Sequence, residues 1–259
     1  MKIDFEKYHG TGNDFVLIDN RQGHFPKGEI KLIRSICHRH FGVGSDGLML
    51  IEETDEADFE MIFYNPDGSK SLCGNGSRCA IHFAVKLGLA SEKGTMLTTD
   101  GIHDYRFISD LEIAVSMRNP SPISNREGYP FINTGSPHLV VMVDDVDKVS
   151  VVEAGRLLRY SKHFEADGGT NVNFVSPLGE ENFAVRTYER GVEDETLSCG
   201  TGVAAVALVL AQSGKAYNKA FIQTRGGLLS VMFKFHLDQF SDIWLQGSVQ
   251  SVFTGSYNA

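Results

Sequence analysis

The sequence has few positive charges and no long apolar run, and each shortage excludes a class of protein. Its 24 lysine and arginine residues are outnumbered by 33 acidic residues, giving a net charge of −9, and they form no basic cluster. Binding to a phosphate backbone requires clustered positive charge, so we expect no nucleic-acid partner. The longest apolar run, residues 203–211, is far shorter than the ~18 residues that span a bilayer, so we expect no membrane partner.

The first ten residues, MKIDFEKYHG, lack the apolar segment of a secretory signal peptide, and we therefore expect a cytoplasmic protein. In a cytoplasmic chain of 259 residues, the four cysteines (Cys37, Cys73, Cys79 and Cys199) are expected to be free thiols rather than a disulfide framework. The pattern Cys-His-Arg-His at 37–40 has no second ligand pair at zinc spacing, so we predict no metal site.

An internal repeat is the strongest organising signal in the chain. A shift of 126 residues aligns residues 73–111 with 199–237 without a gap, and 10 of the 39 aligned pairs are identical, among them Cys73 with Cys199. Each copy begins with a Cys-Gly-x-Gly turn, which is followed by an apolar stretch that ends at a glycine. We predict helices over 77–87 and 203–213, because glycine is the usual residue just after a helix.

Hairpins are predicted after each helix. The dipeptides Asp100-Gly101 and Gly226-Gly227 suit a primed two-residue turn, and the flanking residues are rich in Thr, Leu, Ile, Val and Phe. Further strands are predicted over 48–53, 59–64, 139–143 and 183–188. Residues 118–130, rich in Pro, Ser and Asn, predict an irregular boundary between two halves.

The repeat predicts an α/β fold with α+β character. We expect two pseudo-symmetric domains, each a curved, barrel-like sheet around a central helix. The pseudo-twofold relation would place Cys73 and Cys199 in equivalent positions, facing each other across an interdomain cleft that holds the active site.

The repeated cysteine turn predicts acid–base chemistry. A helix N-terminus lowers the pKa of a cysteine, and both cysteines immediately precede a predicted helix. The glycines allow close approach of a ligand, and the helix-start N–H groups suit a carboxylate. Two thiols on opposite sides of a carbon acid can remove and deliver a proton, which inverts the centre. The repeat therefore predicts a two-base racemase or epimerase, whereas Cys79 aligns with Ala205 and is expected to be a packing residue.

Residues outside the repeat add candidates. Asn13 and His138 each follow a Thr-Gly turn at the start of an apolar strand, where loops line a cleft. Glu189 and Arg190 end a strand before Cys199; arginine suits carboxylate binding and glutamate can relay protons, with a surface ion pair as the alternative. Residues 42–47 fit G-x-G-x-x-G, but they follow a predicted helix and precede a strand, the reverse of a dinucleotide site, so we predict a tight loop.

Four motifs together resemble the diaminopimelate epimerase family. They are Gly-Thr-Gly-Asn-Asp-Phe at 10–15, Cys-Gly-Asn-Gly-Ser-Arg-Cys at 73–79, Ser-Pro-His at 136–138, and Tyr-Glu-Arg-Gly at 188–191 with Cys-Gly-Thr-Gly at 199–202. The resemblance implies a cytoplasmic, homodimeric enzyme that needs no cofactor and interconverts LL- and meso-2,6-diaminopimelate for lysine and peptidoglycan synthesis. It also implies that residues from about 247 to 259 return to the first domain, giving domains of 1–118 with 247–259 and of 119–246.

The resemblance also implies roles for individual residues. Cys73 and Cys199 resemble the base and the acid, which exchange roles with substrate stereochemistry. His138 resembles the residue that accompanies Cys73, and Glu189 the residue that accompanies Cys199. The implied substrate ligands are Asn13, Asn65, Asn171, Glu189 and Arg190, with helix-start donors from Gly74, Asn75, Gly200 and Thr201.

Two positions depart from the family pattern. Gly47 stands where many members have Gln, and Ser136 where many have Asn. Both positions resemble contacts to the distal amino-acid end of the substrate.

Three other functions are possible for this chain. A proline-type racemase would share the fold but would not need the distal ligands Asn65, Asn171 and Arg190. A phenazine-biosynthesis-like isomerase would lack the cysteine pair. A redox-switch binding protein would use a reversible disulfide between Cys73 and Cys199.

Overall fold

The computed structural model describes all 259 residues as a mixed α/β structure with two compact units. Unit 1 comprises Met1–Val115 with Gly247–Ala259, and unit 2 comprises Ser116–Gln246. None of the helices combines the length and the apolar character needed to cross a membrane.

The elements alternate between strands and a small number of helices. In chain order they are β1 (Lys2–Gly10), β2 (Asn13–Asp19), α1 (Ile30–Cys37), β3 (Gly47–Glu52), β4 (Phe59–Tyr64), α2 (Gly74–Lys86), β5 (Lys93–Thr98), β6 (Gly101–Ser109), β7 (Glu112–Ser116), β8 (Ser124–Arg126), β9 (Tyr129–Asn133), β10 (Pro137–Met142), α3 (Val151–Arg159), β11 (Asn171–Gly179), β12 (Asn182–Glu189), β13 (Asp194–Thr196), α4 (Gly200–Gln212), β14 (Lys219–Thr224), β15 (Gly227–His236), β16 (Gln239–Ser248) and β17 (Gln250–Asn258). Two 3₁₀ helices, Val146–Lys148 and Lys162–Asp167, flank α3.

Unit 1 is a single sheet with a helix packed on each face. Hydrogen bonds join its strands in the order β17–β1–β2–β3–β4–β5–β6–β7, with β2–β3 and β4–β5 parallel and the other pairs antiparallel. Phe15 and Leu17 of β2 pack in the same core as α2, while Val16 and Ile18 pack on the other side with α1. Burial on both faces explains why β2 and β3 have continuous apolar sequences.

Unit 2 has the same arrangement, a single sheet with a helix packed on each face. Its strands follow the order β8–β9–β10–β11–β12–β14–β15, with β10–β11 and β12–β14 parallel, and β13 pairs with the end of β12. α4 lies in one core with Val140 and Val175, and Val151 of α3 lies in the other with Leu139 and Phe174. Nearly every residue of α4 is buried, as its uniformly apolar sequence predicts.

Two local predictions need correction. Residues 118–130 are not wholly irregular, because β8 and β9 form a hairpin there, with Glu127 (φ 53°) and Gly128 (φ 82°) supplying the positive φ of a primed turn. The hairpins after α2 and α4 form, but they are not of the primed type. Only Gly101 (φ 125°) and Gly227 (φ 136°), at the start of each second strand, have positive φ.

Candidate active site

Cys73 and Cys199 are the N-cap residues of α2 and α4. Their backbones are extended, with φ/ψ of −132°/107° and −125°/109°, and the helices begin at the next residue, three positions before the predicted starts. Both cysteines therefore lie at the end of a helix with unpaired N–H groups, and the Cys73 side chain accepts a hydrogen bond from one of them, the Gly76 N–H. Cys73 is partly exposed and Cys199 is 8% exposed, and both are free thiols.

The Cys73 sulfur has contacts on both sides. The Gly76 N–H donates to Cys73 Sγ over 3.4 Å, and the thiol donates to Asn13 Oδ1 over 3.6 Å. Asn75 Nδ2 donates to the same Asn13 oxygen over 3.4 Å. Asn13, Cys73 and Asn75, all predicted from the sequence, are therefore brought together in unit 1.

Charged residues fix the amide of Asn13. Its Nδ2 donates to Asp46 Oδ2 over 2.6 Å, and Arg39 bridges Asp46 and Asp14. Burial alone would raise the pKa of Asp14, but hydrogen bonds from Arg39 and Lys7 lower it to about 2. The Asp14 carboxylate thus remains charged at neutral pH. Asp46 holds the Asn13 amide nitrogen, so that the amide oxygen faces Cys73.

Arg78 is a buried residue of this turn that sequence reasoning missed. It has no exposed surface, and it donates to Gly74 O, Thr11 Oγ1 and Asn75 Oδ1 over 2.8–3.3 Å. Burial lowers its pKa to about 10, so it stays protonated at neutral pH. Arg78 therefore orients the Asn75 amide, and the aligned Ala204 in the second copy has no equivalent function.

The Cys199 sulfur is connected to a buried histidine in the same unit. Cys199 Sγ lies 3.6 Å from Thr201 Oγ1, which lies 2.9 Å from His138 Nε2. Asn173 Nδ2 donates to His138 Nδ1 over 3.2 Å. Burial, and then the charge of Arg190, lower the pKa of His138 to about 3, so its imidazole is neutral at physiological pH.

A second polar group of unit 2 joins Ser136, Asn171 and Arg190. Asn171 Nδ2 donates to Ser136 Oγ over 2.9 Å, and its Oδ1 accepts from the Arg190 N–H over 2.8 Å. Arg190 Nη1 donates to Asp167 O over 2.9 Å, and Nη2 lies 3.5 Å from Ser136 Oγ. Two predicted ligands, Asn171 and Arg190, are therefore joined by a hydrogen bond. Ser136, one of the two residues that differ from the family pattern, belongs to the same hydrogen-bond network.

The remaining predicted residues lie at strand ends. Glu189, at the end of β12, accepts from Thr196 Oγ1 over 2.8 Å. Asn65, just after β4, donates to Ser69 Oγ and Ser71 Oγ over 3.0 and 3.1 Å. The pairings of His138 with Cys73 and of Glu189 with Cys199 stay predictions.

Glycines after each cysteine allow the sheet to pack closely under the helix start. A Cβ on Gly76 would overlap Met49 Cε, and one on Gly202 would overlap Asn173 Oδ1. The second glycine of each Cys-Gly-x-Gly pattern thus lies directly against a side chain of the sheet.

Gly47 has no room for a side chain. A Cβ at this position would overlap the Phe63 ring and would lie 2.8 Å from Tyr64 O. The space that a glutamine would need at the start of β3 is therefore filled by an aromatic ring of β4.

Replacing Gly47 by Gln should destabilise the fold, because overpacking of a closed core costs about 1–3 kcal/mol. The change in unfolding free energy can be measured by urea titration. Adding Phe63→Leu to Gly47→Gln should recover part of the loss, whereas Phe63→Leu alone should destabilise. Wild-type stability of the Gly47→Gln variant would contradict this packing.

The family model and two curated relatives that match this sequence all belong to one family. The sequence model of the family described as "Diaminopimelate epimerase" matches residues 5–120 and 131–242. A diaminopimelate epimerase of Flavobacterium psychrophilum is 43% identical over 249 residues, covering 95% of this chain and 97% of the relative. One from Aquifex aeolicus is 41% identical, covering 98% and 97%.

Solved structures show the same fold at low sequence identity. A phenazine biosynthesis protein of the PhzF family from Bacillus anthracis has a TM-score of 0.79 at 15% identity, with 100% of both chains covered. A hydroxyproline epimerase from Agrobacterium vitis has a TM-score of 0.72 at 15% identity, covering 98% of this chain and 92% of that one. The predicted two-domain α/β fold class is confirmed, and at these identities the likeness concerns the fold alone.

Proposed function

We propose that this chain, which belongs to the diaminopimelate epimerase family, interconverts LL- and meso-2,6-diaminopimelate by two-base proton transfer. The observation that carries the proposal is the pair of cysteines that cap α2 and α4. In each unit a thiol stands at a helix N-terminus, where the dipole and the N–H groups favour negative charge.

In the proposed reaction the two thiols act on opposite faces of one α-carbon. One cysteine, as thiolate, takes the α-proton, so that the C–H bond breaks and an S–H bond forms. The other thiol gives its proton to the opposite face of the carbanion and becomes the thiolate. The same residues, with roles exchanged, carry out the reverse reaction.

The substrate carboxylate would bind at the helix starts. Gly74 and Asn75 in unit 1, and Gly200 and Thr201 in unit 2, supply backbone N–H groups of the kind that bind carboxylates. These preorganised donors would stabilise charge that develops next to the α-carbon. Arg190 and Asn171, with Asn13 and Asn65, would bind the rest of the substrate.

The proposal also covers the cofactor requirement, cellular location and oligomeric state of the enzyme. Both proton transfers are assigned to thiols of this chain, so the reaction requires no pyridoxal phosphate. A cytoplasmic location and a homodimer are supported by the family resemblance. Lysine and peptidoglycan precursor synthesis would consume the product.

The direct test is incubation of the reduced protein with LL-diaminopimelate in D₂O without pyridoxal phosphate. Loss of the α-proton is followed by NMR, and the meso isomer is measured by chiral chromatography. Deuterium uptake together with meso formation is the expected result. Absence of exchange with diaminopimelate but exchange with proline would instead favour a proline-type racemase, and reversible loss of two thiols without exchange would favour a redox switch.

A further inference from the structure

Asn173 of β11 is a buried polar residue for which the proposed reaction has no role. It has no exposed surface. Its Nδ2 donates to Leu139 O over 3.0 Å and to His138 Nδ1 over 3.2 Å, and its Oδ1 accepts from Thr187 Oγ1 over 3.0 Å. The carbonyl and hydroxyl partners fix which end of the amide faces the histidine, so the group beside Nδ1 is a donor.

This orientation determines the tautomer of His138. Because Nδ1 accepts from an amide N–H, a neutral imidazole carries its proton on Nε2. The Nε2–H then donates to Thr201 Oγ1, 2.9 Å away. With its oxygen accepting, the Thr201 hydroxyl can donate its own hydrogen to Cys199 Sγ at 3.6 Å.

The contacts therefore allow a directional chain from Asn173 through His138 and Thr201 to Cys199, in which the sulfur is the final acceptor. A hydrogen bond donated to the sulfur favours the thiolate. In unit 1 the side-chain contact runs in the opposite direction, since the Cys73 thiol donates to Asn13 Oδ1, while its sulfur accepts from the backbone N–H of Gly76. The charged residue that faces His138 is Arg190, which opposes protonation of the imidazole and so preserves the chain.

We propose that Asn173 is a positioning residue that holds His138 as the Nε2–H tautomer, so that the Thr201 hydroxyl donates to Cys199 and favours its thiolate. The catalytic meaning of this chain rests on the proposed function. The tautomer and the state of the thiol, however, are properties of the free protein, so they can be tested without turnover.

Asn173→Asp is the most informative variant, because a carboxylate of the same shape accepts hydrogen bonds and donates none. It should move the His138 proton from Nε2 to Nδ1. The Nε2 atom would then accept instead of donating, and the Thr201 hydroxyl would give its hydrogen to Nε2 instead of Cys199 Sγ. Histidine ¹⁵N shifts report the tautomer, with the His138 signals assigned by their loss in His138→Gln.

The second measurement is the rate of Cys199 alkylation by iodoacetamide near pH 7, resolved from that of Cys73 by peptide mapping. Loss of one neutral hydrogen bond corresponds to about a fivefold decrease in the thiolate fraction. Asn173→Asp should therefore slow alkylation of Cys199 by about fivefold and leave Cys73 unchanged. Epimerisation kcat should fall in parallel.

Thr201 variants keep the proposal testable if Asn173→Asp folds poorly. Thr201→Val removes the hydroxyl link and should slow Cys199 alkylation without changing the His138 tautomer, whereas Thr201→Ser should restore the wild-type rate. Thr187→Val is the matched control near Asn173, since it removes a contact to Oδ1 but leaves the Nδ2 donor; it should keep the Nε2–H tautomer.

Several outcomes would overturn the proposal. An unchanged His138 tautomer in a folded Asn173→Asp protein would mean that Asn173 does not position the imidazole. A changed tautomer with unchanged Cys199 alkylation would mean that the chain does not reach the sulfur, as would unchanged alkylation in Thr201→Val. If the wild type fails to epimerise diaminopimelate while these readouts respond as expected, the proposed function fails and the positioning role stands.

Discussion

Replacing either Cys73 or Cys199 by serine should lower the rate of diaminopimelate epimerisation by about 10²–10⁴-fold, the usual contribution of a positioned acid or base. A hydroxyl is a far weaker acid than a thiol, so it neither supplies the anion nor readily gives up its proton. Inversion needs a group on each face, and each single variant should therefore lose it. The measurement is the initial rate of meso formation from the LL isomer.

Exchange of the α-proton distinguishes loss of one base from loss of the whole site. In D₂O each serine variant should still exchange slowly with the isomer whose α-proton faces the remaining cysteine, without forming the other isomer. The two variants should therefore prefer opposite substrate isomers. Cys37→Ala is the control, because Cys37 is the last residue of α1 and packs in the core beside β3, so its replacement should leave the rate unchanged. Full activity in either serine variant would exclude the two-thiol mechanism.

The sequence pattern was sufficient to predict the parts of the site that are local in the chain. A repeated Cys-Gly-x-Gly followed by an apolar stretch identifies two helix starts, since packing at those starts excludes side chains at Gly76 and Gly202. The same repeat predicts the antiparallel hairpin that follows each helix. Such features depend on residues that are close in sequence, so they can be predicted from one sequence alone.

Features that depend on residues distant in sequence were not predicted. Asn173 meets His138 across the parallel pair β10–β11, and Arg78 meets Thr11 over 67 positions. Arg78 lies within the motif at 73–79, but nothing in composition or periodicity indicates its partner Thr11, and Asn173 belongs to no motif. The filling of the Gly47 space by Phe63 is similarly a property of the β3–β4 pair. The hairpin at 124–133 was missed because residues 118–130, which include its first strand, have the prolines, serines and asparagines typical of a linker.

Acidification should destabilise the protein through His138. The unfolded chain protonates a histidine near pH 6.5, whereas the folded protein does so only at about pH 3, because burial and Arg190 lower the pKa of His138. Between these pH values the unfolded state binds more protons, so the free energy of unfolding falls by about 1.4 kcal/mol per pH unit as the pH decreases. Above pH 6.5 this effect vanishes.

His138→Gln isolates this contribution, because other titrating groups are common to both proteins. Wild-type and variant unfolding free energies, measured by urea titration at pH 6.5, 5.5 and 4.5, should converge as the pH falls, since only the wild type bears the cost of keeping an imidazole neutral. Parallel pH profiles would mean that His138 takes up its proton at the same pH in the folded and the unfolded protein. In that case Nδ1 would carry a proton below about pH 6.5, where the donor of Asn173 would face a second donor.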